Sequence, residues 1–139
     1  MVRRATAEEV IDLRHKVLRP GRPRETAIWA CDALAGTRHW VLERNGRILA
    51  CASVVDAPFP DGEGPGLQLR GMAVDPEFQG HGLGRELLTG IAAEMAEPLW
   101  CNARLTAEAF YLATGWRAVG PLFEIAEVGP HRRMIRALK

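Results

Sequence analysis

The chain of 139 residues is 47% apolar and 25% charged, which suits one soluble globular domain over 1–139 with a buried core. Eighteen basic against seventeen acidic residues leave a net charge of +1. That balance makes no field for a polyanion, so nucleic acid is excluded as the expected partner. No apolar run approaches the ~18–20 residues of a membrane span, so no membrane partner is expected either.

The N-terminal MVRRATAEEV has basic residues but no apolar segment after them, unlike a secretory leader. Val2–Ala5 suits a short strand. Thr6-Ala7-Glu8-Glu9 has the form of a capping box for the following helix. That helix puts Val10, Leu13, Val17 and Leu18 on one face, with Arg14 and Lys16 off it, and Pro20-Gly21-Arg22-Pro23 ends it. Thr26–Leu34 suits a second short helix or a turn anchored by Trp29. Trp40–Arg44 and Arg47–Val55 are apolar runs joined by Asn45-Gly46, a strong hairpin signal. Ala57–Gly66 is a polar loop whose Asp61 and Glu63 form a solvated tip or border an acceptor site. Cys31, Cys51 and Cys101 are odd in number and show no C-x-x-C spacing. They point to reduced thiols and a cytoplasmic location.

The most informative stretch is Leu67–Leu88. Leu67–Val74 is apolar enough for a buried strand, and Asp75-Pro76 stops it. Gln79-Gly80-His81-Gly82-Leu83-Gly84-Arg85 then runs into a helix over Leu83–Met95 with Leu83, Leu87, Leu88 and Ile91 on one face. Strand, glycine turn and helix in that order make an anion site, because the first helical N–H groups have no intrahelical acceptor. Walker A needs Gly-Lys-Ser/Thr, which is absent, and a third dinucleotide-fingerprint glycine at 85 is also absent. Further on, Leu99–Asn102 suits a strand and Leu105–Thr114 a helix closed at Gly115. Trp116–Val119 and Leu122–Ala126 suit strand broken by Gly120-Pro121. Gly129-Pro130 suits a turn, and Arg133–Leu138 a last strand. His131-Arg132-Arg133 is a local basic cluster at a strand end.

Gln79, Gly82 and Gly84 form Gln-x-x-Gly-x-Gly, which resembles the coenzyme A signature of the GNAT superfamily of N-acetyltransferases. Ala109–Trp116 is similar to that family's Phe-Tyr-x-x-x-Gly-aromatic stretch. The element order β-α-α-β-β-β-α-β-α-β-β also resembles the GNAT acyl-CoA N-acyltransferase fold, an α/β fold with a mixed sheet. The resemblance implies that the pantetheine arm of acetyl-CoA pairs with the main chain of Met72, Ala73 and Val74, beside a diverging Leu99–Asn102 strand. It implies that Gln79, Gly80, His81, Gly82, Leu83, Gly84 and Arg85 hold the pyrophosphate, largely through amides. His81 and Arg85 either add cationic contacts or face solvent.

The resemblance implies that Tyr111, the only tyrosine in the chain, protonates the departing thiolate, a fitting role for a phenol donor. The alternative is a tyrosine that anchors its helix. A lysine-like amine is only about 0.04% neutral at pH 7, so something must take its proton. Some relatives use a glutamate where this chain has Gln68, which cannot be a base. Glu124, His39, His131 or a water chain remain. Arg104 stands where many relatives have a cofactor-binding asparagine, and Asn102 is two residues away. No metal-binding or nucleophile-elbow motif is present, so no metal is expected.

The expected activity is acetyl transfer from acetyl-CoA to a small-molecule or peptide amine within a ternary complex. The alternative is a non-catalytic acyl-CoA-binding sensor or partner domain, and nucleotide binding at the glycine turn is a weaker third reading. The acceptor, and whether the chain forms a homodimer, are left open by the residues.

Overall fold

The structure, a computed structural model, describes residues 1–136. They form seven strands and three α-helices in two compact units. The first unit comprises Met1–Val55 and Leu69–Ala96, and the second comprises Asp56–Gln68 and the chain from Glu97.

In the first unit, β1 (Val2–Ala5) runs antiparallel to β2 (Arg38–Arg44), which runs antiparallel to β3 (Arg47–Asp56), with β4 (Leu67–Val74) beside β3. The β2–β3 turn has Asn45 at φ 52° and Gly46 at φ 74°, the left-handed pair that a two-residue hairpin turn requires. Helix α1 (Ala7–Leu18) carries the expected capping box. Thr6 Oγ1 accepts from the Glu9 N–H at 3.3 Å, and the Thr6 N–H donates to Glu9 Oε1 at 2.9 Å. Val10 and Leu13 pack with Val41, Cys51 and Ala73, and Val17 and Leu18 lie against that cluster. Helix α2 (Leu83–Glu94) buries Leu83, Leu87, Leu88 and Ile91 as its pattern demands. Gly90 lets α2 approach β1 closely, since a Cβ there would lie 2.6 Å from Val2.

In the second unit, β7 (Gly129–Arg136) lies between β5 (Leu99–Arg104) and β6 (Arg117–Ile125), antiparallel to both. The described register between β4 and β5 is parallel, with Gln68 opposite Trp100, so parallel and antiparallel pairings coexist. The 57–66 loop is tied down: the Trp100 indole donates to Ala57 O at 2.9 Å, Phe59 meets Trp100 edge-on, and Asp61 pairs with Arg133 at 3.0 Å.

Several local expectations are corrected. Arg14 is fully buried rather than off the packed face, because a buried carboxylate compensates its charge. Of the two readings of Thr26–Leu34, short helix or turn, the structure takes the turn, as two 3-10 turns, Arg24–Ala27 and Ala30–Ala33, in place of the second α-helix of the expected order. The Leu105–Thr114 segment divides into a 3-10 turn, Leu105–Ala107, and a six-residue helix α3, Glu108–Ala113. Gly120-Pro121 does not break β6 but bulges it, with Gly120 at φ 77° and a register shift between Val119 and Phe123. The last turn falls before Gly129, where Glu127 takes φ 65°, so β7 starts four residues earlier than expected. The expected continuation to Leu138 lies outside the described residues. His131-Arg132-Arg133 is no solvated end either: His131 is buried, and Arg132 pairs with Glu108 at 3.1 Å.

Candidate active site

The strand–turn–helix signature forms as one continuous piece. β4 delivers Met72, Ala73 and Val74, of which Ala73 is buried and the other two partly so. Asp75 then ends the strand and caps the 3-10 turn Pro76–Phe78, accepting from the Glu77 N–H at 3.1 Å. Burial disfavours its charge. The Glu77 N–H, Lys16 and Arg47 outweigh that and hold the carboxyl below the usual range. Gln79 donates its side-chain amide to Val74 O at 3.2 Å, which ties the turn back to the strand.

Gly80 and Gly82 sit at φ 84° and 77°, and nothing lies within 4 Å of where a Cβ would stand on either. The Gly82 carbonyl accepts from Glu86 N at 3.0 Å and starts α2. Leu83 and Gly84 are buried, whereas Gln79, Gly80, His81, Gly82 and Arg85 are exposed. A left-handed, side-chain-free approach to the start of a twelve-residue helix suits a phosphate group.

A second constellation in the same unit escaped the sequence reading. Arg14 Nη1 donates to Asp32 Oδ2 at 2.7 Å and to Ala27 O at 2.9 Å, while Nη2 reaches Ser53 Oγ at 3.2 Å. Asp32 Oδ2 also accepts from Trp29 N at 2.8 Å. The Trp29 ring lies under Arg14 Cζ at 3.8 Å and Arg70 Cζ at 4.7 Å. Gly71, at φ 65°, packs here because a Cβ would come within 3.1 Å of Arg14 Nε and 3.2 Å of Trp29. His39 bonds Ser53 Oγ at 2.6 Å and Asp32 O at 3.3 Å through its two ring nitrogens. Burial, reinforced by the Arg14 charge, lowers its pKa. No local sequence signal joins residues so far apart in the chain.

In the second unit α3 places Tyr111 in the interior, 6% exposed. Its ring meets Phe110 and Trp116 edge-on, each at 5.2 Å between centroids. Beside its hydroxyl lies the buried Cys101 thiol on β5. Burial first, then the cysteine, pushes the phenol pKa well above its ordinary value, so the proton stays on the oxygen at neutral pH. Asn102 pairs with Arg133 in the β5–β7 ladder, but its buried side-chain Oδ1 has no protein partner. His131 bonds Gly129 O at 2.8 Å through Nδ1, and Glu124 is exposed. Gln68 lies in the ladder opposite Trp100.

Residues 35–118 match the family model described as Acetyltransferase (GNAT) domain. The chain belongs to the GNAT acetyltransferases. Enzymes of this family use acetyl-CoA as acyl donor, so the chain is an acetyl-CoA-dependent acetyltransferase. It is 28% identical to the uncharacterized N-acetyltransferase YitI of Bacillus subtilis (strain 168), over 99% of this chain and 96% of that protein. Its fold is similar to the crystal structure of Escherichia coli ElaA, with TM-score 0.78 and 18% identity over 98% of each chain. It is also similar to an aminoglycoside 6'-N-acetyltransferase crystallised with coenzyme A, with TM-score 0.75 and 11% identity over 97% of this chain and 95% of that one. The GNAT match spans the whole glycine turn and Tyr111. It leaves α1, and with it Arg14, outside its bounds.

Proposed function

We propose that this GNAT protein transfers an acetyl group from acetyl-CoA directly to a primary amine while both are bound in one domain. The observation that carries the reading is the turn Gln79–Arg85, where two left-handed glycines leave open space at the start of α2. Main-chain groups of Met72, Ala73 and Val74 would pair with the pantetheine arm, and amides of residues 80–85 would receive the pyrophosphate. Gln79 supports this indirectly, since its amide holds the turn against Val74. In the second unit, the orphaned Asn102 Oδ1 is a buried polar atom left without a protein partner, the state of a group that a ligand can satisfy.

In the reaction the amine nitrogen attacks the acetyl carbonyl carbon, the carbon–sulfur bond breaks, and the thiolate takes the Tyr111 proton. A phenol is protonated at neutral pH and so has that proton to give, while the burial that raises its pKa makes it a weaker acid. Gln68 cannot take the amine's proton, and His39 has both ring nitrogens engaged. Proton loss through water to solvent accounts for that step without a dedicated side chain. Cofactor positioning supplies most of the rate, and Tyr111 a factor of roughly 10²–10⁴.

One observation favours the alternative of an acyl-CoA-binding module without turnover: Tyr111 is buried, with its hydroxyl beside Cys101. Tyr111→Phe separates the two. For an enzyme, kcat falls roughly 10²–10⁴-fold while calorimetric acetyl-CoA affinity is retained. Unchanged kcat removes Tyr111 from the acid role, and absence of turnover in the parent protein across an amine panel favours the module.

A further inference from the structure

Arg70 is a guanidinium without a counter-charge. Its Nη1 donates to the Cys31 thiol at 3.4 Å, its plane lies over Trp29 at 4.7 Å, and among the described residues it makes no ion pair. The neighbouring guanidinium, Arg14, takes the Asp32 carboxylate. Arg14, Arg70 and, at 5.6 Å, Arg19 therefore share one indole, and Asp32 balances Arg14. A thiol is a weak acceptor, so most of the five-donor fork of Arg70 is unspent, and a partly buried arginine stacked on an aromatic ring is held in a fixed plane.

The surroundings are built to hold that plane. Trp29 is fixed by its own indole N–H to Thr26 O at 3.1 Å and by its backbone N–H to Asp32. Gly71, at φ 65°, lets β4 lie close to the ring, since a Cβ there would crowd Arg14 at 3.1 Å and Trp29 at 3.2 Å. Arg70 is two residues before Met72 on β4, about 7 Å along a strand, which is the span of a small amino acid.

We propose that Arg70, shelved on Trp29, binds a carboxylate of the acceptor, so that the amines this enzyme acetylates are amino acids or compounds that carry a free carboxylate near the amine. A carboxylate is planar and pairs with a guanidinium fork through two parallel hydrogen bonds. This inference rests on the acetyltransferase reading above and narrows its acceptor class. A phosphate on the amine would offer related chemistry, and the test separates the two.

The test uses the full chain. Calorimetry first measures acetyl-CoA binding to the parent, Arg70→Met and Arg70→Lys proteins, with thermal unfolding as a control for folding. Arg70→Met keeps an unbranched stem on Trp29 without the charge, and Arg70→Lys keeps the charge without the fork. Acetyl transfer is then compared within pairs that differ only in the anion: glycine and glycinamide, β-alanine and β-alaninamide, lysine and lysinamide, phosphoethanolamine and ethanolamine. At least one acid is expected to exceed its amide about tenfold or more in kcat/KM, the worth of one charge-assisted hydrogen bond. That preference collapses toward unity in Arg70→Met and is partly kept in Arg70→Lys, with acetyl-CoA affinity unchanged in both. Amides used as well as acids, a preference that survives Arg70→Met, a preference confined to the phosphate pair, or transfer to none of the acids would each overturn the proposal. Loss of acetyl-CoA binding in the parent protein would instead overturn the acetyltransferase reading on which it stands.

Discussion

Arg14 and Asp32 show how one residue pair organises the first unit. A guanidinium with no exposed surface is tolerated because Asp32, Ala27 O and Ser53 accept its protons and Trp29 stacks on it. Removing the carboxylate strands the charge, so Asp32→Ala should cost about 3–5 kcal/mol, read as a shift in the urea midpoint. His39 in the same network adds a pH dependence of defined sign. Its pKa is lowered by burial, so the unfolded chain binds the proton more readily than the folded one. Stability from this residue is complete above the unfolded value near 6.5 and declines as pH falls from there through the folded pKa. In His39→Gln the slope of unfolding free energy between about pH 6.5 and pH 5 should flatten. An unchanged slope would assign the pH response to other groups.

At the scale of elements, the glycine turn separates backbone strain from ligand blocking. Gly82 stands at φ 77° with nothing within 4 Å of a built Cβ, so alanine meets no neighbour and costs only the left-handed conformation, roughly 1–2 kcal/mol. Gly82→Ala should therefore lower the melting temperature while leaving some acetyl-CoA binding. Gly82→Glu puts an anion and a longer side chain where a pyrophosphate is proposed, so it should abolish binding in calorimetry at a similar melting temperature. Equal binding by both variants would move the cofactor away from this turn. Elements with a strong local code formed as read: the Thr6–Glu9 capping box, the Asn45-Gly46 hairpin and the α2 face. The two 3-10 turns after α1 are tied to the rest of the unit by Arg14, which bonds Ala27 O in the first and Asp32 in the second, and Asp32 also caps its own turn at the Trp29 N–H.

At the scale of the whole molecule, ligand binding is the observable that speaks for the fold's purpose. A ligand that binds only the folded chain at a hundred times its Kd stabilises it by about 2.7 kcal/mol, or several degrees for a chain of this size. Acetyl-CoA should raise the melting temperature by that amount, and ATP and NAD should not. No shift at millimolar acetyl-CoA would remove the glycine turn from cofactor binding. A shift with ATP or NAD would restore the nucleotide reading. Among the described residues no three metal-ligating side chains gather into a metal site, and no helix is long and apolar enough to cross a membrane.

The family, most of the element order and the glycine turn were legible in the sequence because each rests on residues adjacent along the chain. Glycine spacing, a proline stop and a helical stripe act through local backbone sterics and periodic burial, which need no distant partner. Tertiary structure alone decided what Arg14, Trp29, Asp32, His39, Ser53 and Arg70 do. It also decided that the Tyr111 hydroxyl meets Cys101 and that β7 begins at Gly129. These outcomes depend on charge compensation, ring stacking and ladder register between segments far apart in sequence. A buried arginine reads as a surface residue until its carboxylate is seen beside it.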